Sequence, residues 1–328
     1  MEHRYIRAVP YALFVADGRA LVPTELTQGP WSQDAQHGGP VAALLARTAE
    51  SCESDVPMQV VRLTVELLRP VPLRPLVATS ALRRPGRRVQ LVDVTLTADD
   101  TEVAVARALR IRSTPLELPE LPALDPPSPP DGVLAAAAGQ FRVPYAEAVE
   151  LRFVDGGWDL PGPVRMWTRL RVPVVAGESP SPLQRTAAAA DFGNGVSWVL
   201  EFDRFLFINP DLTVSLSRPP DGEWIGFDVA SEIAPDGYGQ AVSGIFDRHG
   251  SCGRAAQSLF VDARCAAPRV SVVRRTRSGR RSPRPPTRPA CSWRRTTHAA
   301  CGPRGCRTQS TSRGRGTARS RASSPTGR

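Results

Sequence analysis

The sequence predicts an α+β fold of two tandem units, each setting one long helix against a twisted antiparallel sheet, with a basic tail beyond them. Three observations carry this. The order helix then strands occurs twice, a Pro-rich stretch separates the two occurrences, and an eight-residue piece recurs. LTVELLRP at 63–70 and LTVSLSRP at 212–219 agree at six of eight positions with an offset of 149, the mark of an internal duplication. The chain has 328 residues, 41% of them hydrophobic, enough for two packed cores at roughly 150 residues per domain.

The elements follow in order. A short strand pair is expected around YALFV and ALVPT. In GGPVAALLARTAESC at 38–52, Val41, Leu44, Leu45 and Ala49 fall at i, i+3, i+4 and i+8 with Pro40 in the first turn, so an amphipathic helix is predicted. MQVVRLTVELL, PLVATSAL, RVQLVDVTLTA and EVAVARALRIR are β-branched, alternating runs divided by turn residues, and read as four strands. This unit spans 1–113. The Pro-rich segment 114–135, including TPLELPELPALDPPSPPDG, reads as a linker. The second unit, 136–265, repeats the order. Strands are predicted at 147–154 and 164–175, then a helix at 181–195 with Ser181 as N-cap, Pro182 at its first position and Gln184 completing a capping box. FLFINPDLTVSLS, EWIGFDVASEI, YGQAVSGIFDR and GRAAQSLFVDA follow as strands.

Residues 266–328 hold 17 Arg and no acid, a charge of +17, while 1–265 hold 25 Arg against 32 acids, a charge of −7. The high isoelectric point therefore belongs to the tail, and the acidic body gives no reason to expect nucleic-acid binding. The tail lacks Leu, Ile, Phe, Tyr and Met, so it cannot bury enough apolar surface to offset its chain entropy and is expected to be disordered. Its composition fits GC-rich DNA read out of frame, in keeping with a chain that has no Lys at all, and also a basic arm for nucleic acid or an anionic membrane. Removing it should shift the melting temperature of the body by no more than a few degrees, read by differential scanning fluorimetry on the full and shortened chains. Loss of cooperative unfolding on truncation would show that the boundary is misplaced.

Other classes fail on residue inventory. Cys52 and Cys252 lie inside the body, Cys265 at its boundary, and Cys291, Cys301 and Cys306 in the tail with His298, which is neither a disulfide framework nor a paired metal-binding motif. The sequence has no GxSxG elbow and no Walker motif, and its four His, at 3, 37, 249 and 298, are too scattered for a triad or metal site. No apolar run is long enough for a membrane span or a signal peptide, so a cytoplasmic protein without a membrane partner is expected. Arg83, Arg84 and GRRVQ at 86–90 make a basic patch suited to phosphates or simply to an exposed strand turn.

The tandem arrangement resembles the double hot-dog proteins of the acyl-CoA thioesterase II family and its thioesterase-like relatives. The carriers are GPW and QHGGPVAALLAR within 29–47, RLTVELLRPVP at 62–72, PLQRTAAAADFGNG at 182–195 and GSCGRAAQSLFVD at 250–262. The resemblance covers about residues 8–264 and implies two hot-dog units wrapped by one continuous sheet. It also implies hydrolysis of acyl-CoA to free acid and CoA, with no cofactor and no metal. A non-catalytic acyl-CoA or acyl-carrier binding protein of the same fold is the alternative, and a homo-oligomer fits either.

Thioester hydrolysis needs an activated water and hydrogen-bond donors. Asp191 continues the stripe of Leu183 and Ala187 at i+4 and i+8, and the resemblance implies that it is the catalytic carboxylate; a helix-ending Asp bonding local N–H groups is the bland reading. Gln257 alternates in phase with Leu259 and Val261, and the resemblance implies a catalytic Gln on this last strand; an ordinary buried Gln is its counterpart. In the first unit Arg107 is in phase with Leu109 and Ile111, so the halves are expected to differ there. The resemblance also implies a hydroxyl on WIGFDVASEIAPDG, where Ser231 is the only one and Glu232 its neighbour. His37, Gly38 and Gly39 open the first helix, where two glycines permit close approach to the backbone; they either bind substrate or only shape the turn.

Overall fold

Helix α1 (Gly38–Glu50) begins where His37, with extended backbone, accepts the Gly39 N–H through Nδ1 at 3.1 Å, and ends with Ser51 donating to the Arg47 carbonyl. The computed structural model describes residues 11–117, 119 and 143–264. The expectations for most of the linker, for the tail and for His3, His298, Cys265, Cys291, Cys301 and Cys306 lie outside the described residues. Within them the predicted strand pair forms as β1 (Phe14–Asp17) and β2 (Ala20–Pro23), and α1 is followed by β3 (Met58–Leu67), β4 (Val77–Arg84), β5 (Val89–Ala98) and β6 (Thr101–Arg112). The second half has α2 (Pro144–Ala148), β7 (Val149–Gly157), β8 (Leu160–Leu170), α3 (Pro182–Ala190), α4 (Gly193–Val196), β9 (Phe205–Ile208), β10 (Asp211–Leu216), β11 (Trp224–Ala234), β12 (Tyr238–Asp247) and β13 (Gly250–Ala263).

Both halves share one antiparallel sheet of order β4-β5-β6-β3-β10-β13-β12-β11-β8-β7, with β9 pairing beside β13. The seam is β3 against β10, and it explains the recurring octapeptide. Thr64 and Thr213, equivalent residues of the repeat, face each other there, with their hydroxyls 3.3 Å apart, so the repeat sits on the local two-fold axis and each copy pairs with the other. The offset of 149 holds across the sheet. Leu82, Val92 and Ala108 form one row in the first half, and Ser231, Ala241 and Gln257 form its counterpart in the second. This is the double hot-dog architecture, an extended sheet around few helices.

Helix α1 is buried almost all round, including Ala42, Ala43 and Ala46, which lie off the predicted stripe. The sheet covers one side and α3 the other, and the run Ala187–Ala190 lets the two helices approach closely. They lie antiparallel, since the start of α1 meets the end of α3 and its end meets the start of α3.

Four predicted elements differ in detail. The strand expected at 147–154 begins with a helical turn, α2, and continues to Gly157, and the one expected at 164–175 lies at 160–170. The helix expected at 181–195 breaks at Asp191–Phe192, where Gly193, Asn194 and Gly195 are poor helix formers, and restarts as α4. The strand expected through FLFINPDLTVSLS divides into β9 and β10 at Asn209–Pro210, since Pro has no N–H to give a ladder. Finally, the capping box is half formed. Ser181 accepts the Gln184 N–H, but the Gln184 side chain reaches Glu50 of α1 instead of the cap.

That tie carries a prediction. Glu50 accepts from Ser181 Oγ at 2.8 Å and from Gln184 Nε2 at 3.0 Å, yet burial pushes its carboxyl above the usual range, with the two hydrogen bonds pulling the other way. A raised folded pKa favours the neutral form in the fold, so this group's contribution falls as pH rises through the carboxyl range. Glu50→Gln should therefore melt a few degrees above the parent at pH 7, with the difference closing below about pH 4. Melting curves across pH test the sign; a variant less stable at pH 7 than at pH 4, relative to the parent, would contradict it.

Candidate active site

Asp191 closes α3 and is 4% exposed. Its carboxylate does not turn back onto local backbone. Asn209 Nδ2 donates to Oδ1 at 2.7 Å, Gln257 Nε2 donates to the same oxygen at 3.3 Å, and His37 Nδ1 lies 2.8 Å from Oδ2. Three other elements thus supply its partners: the start of α1, the break between β9 and β10, and β13. A buried carboxylate is costly unless satisfied, and here neutral amides and an imidazole satisfy it.

Each partner is itself held. Gln257, 2% exposed, takes the Asn194 N–H on Oε1 at 3.1 Å, which turns Nε2 toward the side chain and carbonyl of Asp191. Gly193 makes room for this, because a Cβ there would lie 2.6 Å from Gln257 Oε1. Asn209 also donates to the Asp211 carbonyl at 3.1 Å, so the strand break fixes its amide. The His37 ring packs at a tilt against the stacked pair of Tyr145, at 4.7 Å between centroids, and Phe192, at 5.1 Å. Tyr145 donates a hydrogen bond to the Ala188 carbonyl at 2.7 Å, and burial, with the Asp191 charge adding to it, pushes its phenol well above the usual range.

The glycines after His37 permit a close approach, but by protein groups. A Cβ on Gly38 would lie 2.6 and 2.7 Å from the Asp191 carboxylate oxygens, and one on Gly39 would lie 2.5 Å from the Ala188 carbonyl oxygen. They seat the start of α1 against the end of α3, and so bring His37 to Asp191.

Ser231 is not brought into this cluster. It shares an inner row with Gln257 two strands away, about 10 Å. Its hydroxyl lies 2.7 Å from that of Ser197, which in turn donates to the Gly193 carbonyl. Glu232 points to the exposed face. The second side chain of this half on Asp191, beside Gln257, is Asn209, which the sequence reading missed; its only signal was an Asn–Pro step dividing a long β run. The comparison with Arg107 is also corrected by the register: Ala108 is the counterpart of Gln257, while Arg107 faces outward and pairs with Asp93 at 2.7 Å. Val60 stands 149 residues before Asn209, so both donor positions are apolar and buried in the first half.

Arg83, Arg84, Arg87 and Arg88 of the patch are exposed at the β4–β5 turn, with Arg84 donating to the Val89 carbonyl, while Gln90 is buried on β5. Among the described residues no group of three or more His, Cys, Asp and Glu is arranged to hold a metal ion, and no helix is long and apolar enough to cross a membrane.

Models of the acyl-CoA thioesterase N-terminal and C-terminal domains match residues 27–111 and 119–261 respectively. Among solved structures, the chain is similar to a conserved hot-dog protein of unknown function from Alicyclobacillus acidocaldarius, with 18% identity, a TM-score of 0.59, and coverage of 77% of this chain and 96% of that one. It is also similar to acyl-CoA thioesterase II of Mycobacterium marinum, with 17% identity, a TM-score of 0.55, and coverage of 74% and 98%. These likenesses show the shared fold. No curated protein sequence matches the chain.

Proposed function

Since the chain belongs to the acyl-CoA thioesterase family, we propose that it hydrolyses an acyl-CoA to the free acid and CoA, using water activated by the Asp191 carboxylate. The observation that carries this reading is the buried carboxylate held by Asn209, Gln257 and His37, side chains drawn from both halves of the chain. A carboxylate so placed can drive removal of a proton from water, and Asn209 and Gln257, each donating to it, hold it in position for that role. No covalent nucleophile is required. Neither of the two described cysteines, Cys52 and Cys252, is among the side chains bonded to the Asp191 carboxylate, and burial pushes the Cys252 thiol up to about 12, far from a thiolate at neutral pH.

The test is release of free thiol, followed with a disulfide reagent, across acyl-CoA chain lengths. Steady release that saturates with substrate is the expected result. Acyl-CoA binding by calorimetry with no thiol release at any chain length would favour the non-catalytic binding protein instead.

A further inference from the structure

His37 Nδ1 has two neighbours that want opposite things. It lies 3.1 Å from the Gly39 N–H, which needs a lone pair, and 2.8 Å from Asp191 Oδ2, which needs a proton. One nitrogen serves only one of them in a given tautomer. Against a buried carboxylate the proton belongs on Nδ1, and the lone pair then sits on Nε2. No group among the described residues bonds Nε2, and the side chain is 12% exposed where Asp191 is 4% exposed. Both Asp191 oxygens are taken up, Oδ1 by two amides and Oδ2 by the ring. The basic atom open to a reactant is therefore on the imidazole.

We propose that His37 and Asp191 act as a dyad in which Nε2 of His37 receives the proton of the attacking water and Asp191 supports the charged ring through Nδ1. Water's O–H bond breaks as its oxygen bonds the thioester carbonyl carbon and the carbonyl π pair moves onto oxygen. When that pair returns, the C–S bond breaks, and the leaving sulfur takes the proton from Nε2. Acid, thiol and a neutral ring result, with no other reactant. The titratable groups facing the ring are Asp191 from α3 and Tyr145 from α2, whose phenol O–H donates to the Ala188 carbonyl. The contact of Nδ1 with Asp191 and the tilted packing of the ring against the stacked Tyr145 and Phe192 fix its orientation, so Nε2 is aimed without a further hydrogen bond.

The inference rests on thioester hydrolysis, and a matched pair of variants separates the two. His37→Asn keeps an amide near the Nδ1 position that can donate to Asp191 or accept the Gly39 N–H, and it is a good N-cap, but it has no atom at Nε2. It should melt close to the parent and lose turnover by roughly 10²-fold. His37→Ala should lose at least as much and recover part of it on addition of free imidazole, which a residue that only caps the helix would not show. A folded His37→Asn protein with parental turnover, or His37→Ala that imidazole does not restore, overturns the role of His37. A parent that releases no thiol from any acyl-CoA overturns the hydrolase reading itself.

Discussion

Replacing Asp191 by Asn should lower acyl-CoA turnover by roughly 10²-fold or more while leaving binding and folding near the parent values. The substitution keeps the volume. The new amide oxygen can still accept from Asn209 and Gln257, and its nitrogen can face His37 Nδ1 as a donor, so the three partners keep a hydrogen bond each. What is lost is the negative charge, the part that can drive proton removal from water or stabilise a charged imidazole beside it. Removing a buried charge also removes a desolvation cost, which argues against a fall in stability. Thiol release and thermal melting on the same preparations decide the matter. A variant that melts earlier yet hydrolyses at the parent rate would reduce Asp191 to a structural anchor.

How much of this site the sequence discloses depends on what each residue's neighbours are. Asp191 and Gln257 are legible because each is a polar residue in phase with an apolar set, Leu183 and Ala187 for one, Leu259 and Val261 for the other, and such a residue must find partners indoors. Helix and strand periods likewise disclose α1, α3 and most strands. Asn209 is hidden because it belongs to no period: it stands at the Pro210 break, where β9 and β10 follow one another along the same side of β13 with a one-residue shift of register, and that irregularity turns its amide toward Asp191. Ser231 shows the converse. Its phase is right, since it shares a row with Gln257, but period-2 reasoning says nothing about the width of the two strands between them. The duplication was visible as a repeated octapeptide, yet its meaning is spatial, because Thr64 and Thr213 mark the axis along which the halves join.

The largest effect on stability should come from Arg110, at the other end of α1 from His37, about 18 Å along a helix of this length. It is 2% exposed and no carboxylate pairs with it among the described residues. Its guanidinium is spent on the end of α1 instead, donating to the carbonyls of Cys52 at 2.5 Å, Ala49 at 3.5 Å and Glu53 at 3.4 Å, and through Nε and Nη2 to Gln90 Oε1. The Ala49 carbonyl is one that a helix terminus leaves without a partner, those of Cys52 and Glu53 belong to the loop that follows, and the negative end of the helix dipole is where a buried cation is best placed. Gln90 is held in turn by donating to the Gly86 carbonyl and to Ser54, so one side chain ties β6, β5 and the loop after α1. Arg110→Ala removes the cation, opens a cavity and strands the carbonyls together, and should cost about 3–5 kcal/mol, on the order of 10 °C in melting temperature. Arg110→Met restores most of the volume without the charge and should recover part of the loss, because the desolvation of the cation disappears with it. Turnover per folded molecule at low temperature should stay near the parent in both, since the site lies at the opposite pole of the helix pair. Chemical denaturation of the three proteins supplies the measurement; an alanine variant as stable as the parent would mean that water and backbone, and not Arg110, satisfy the end of α1.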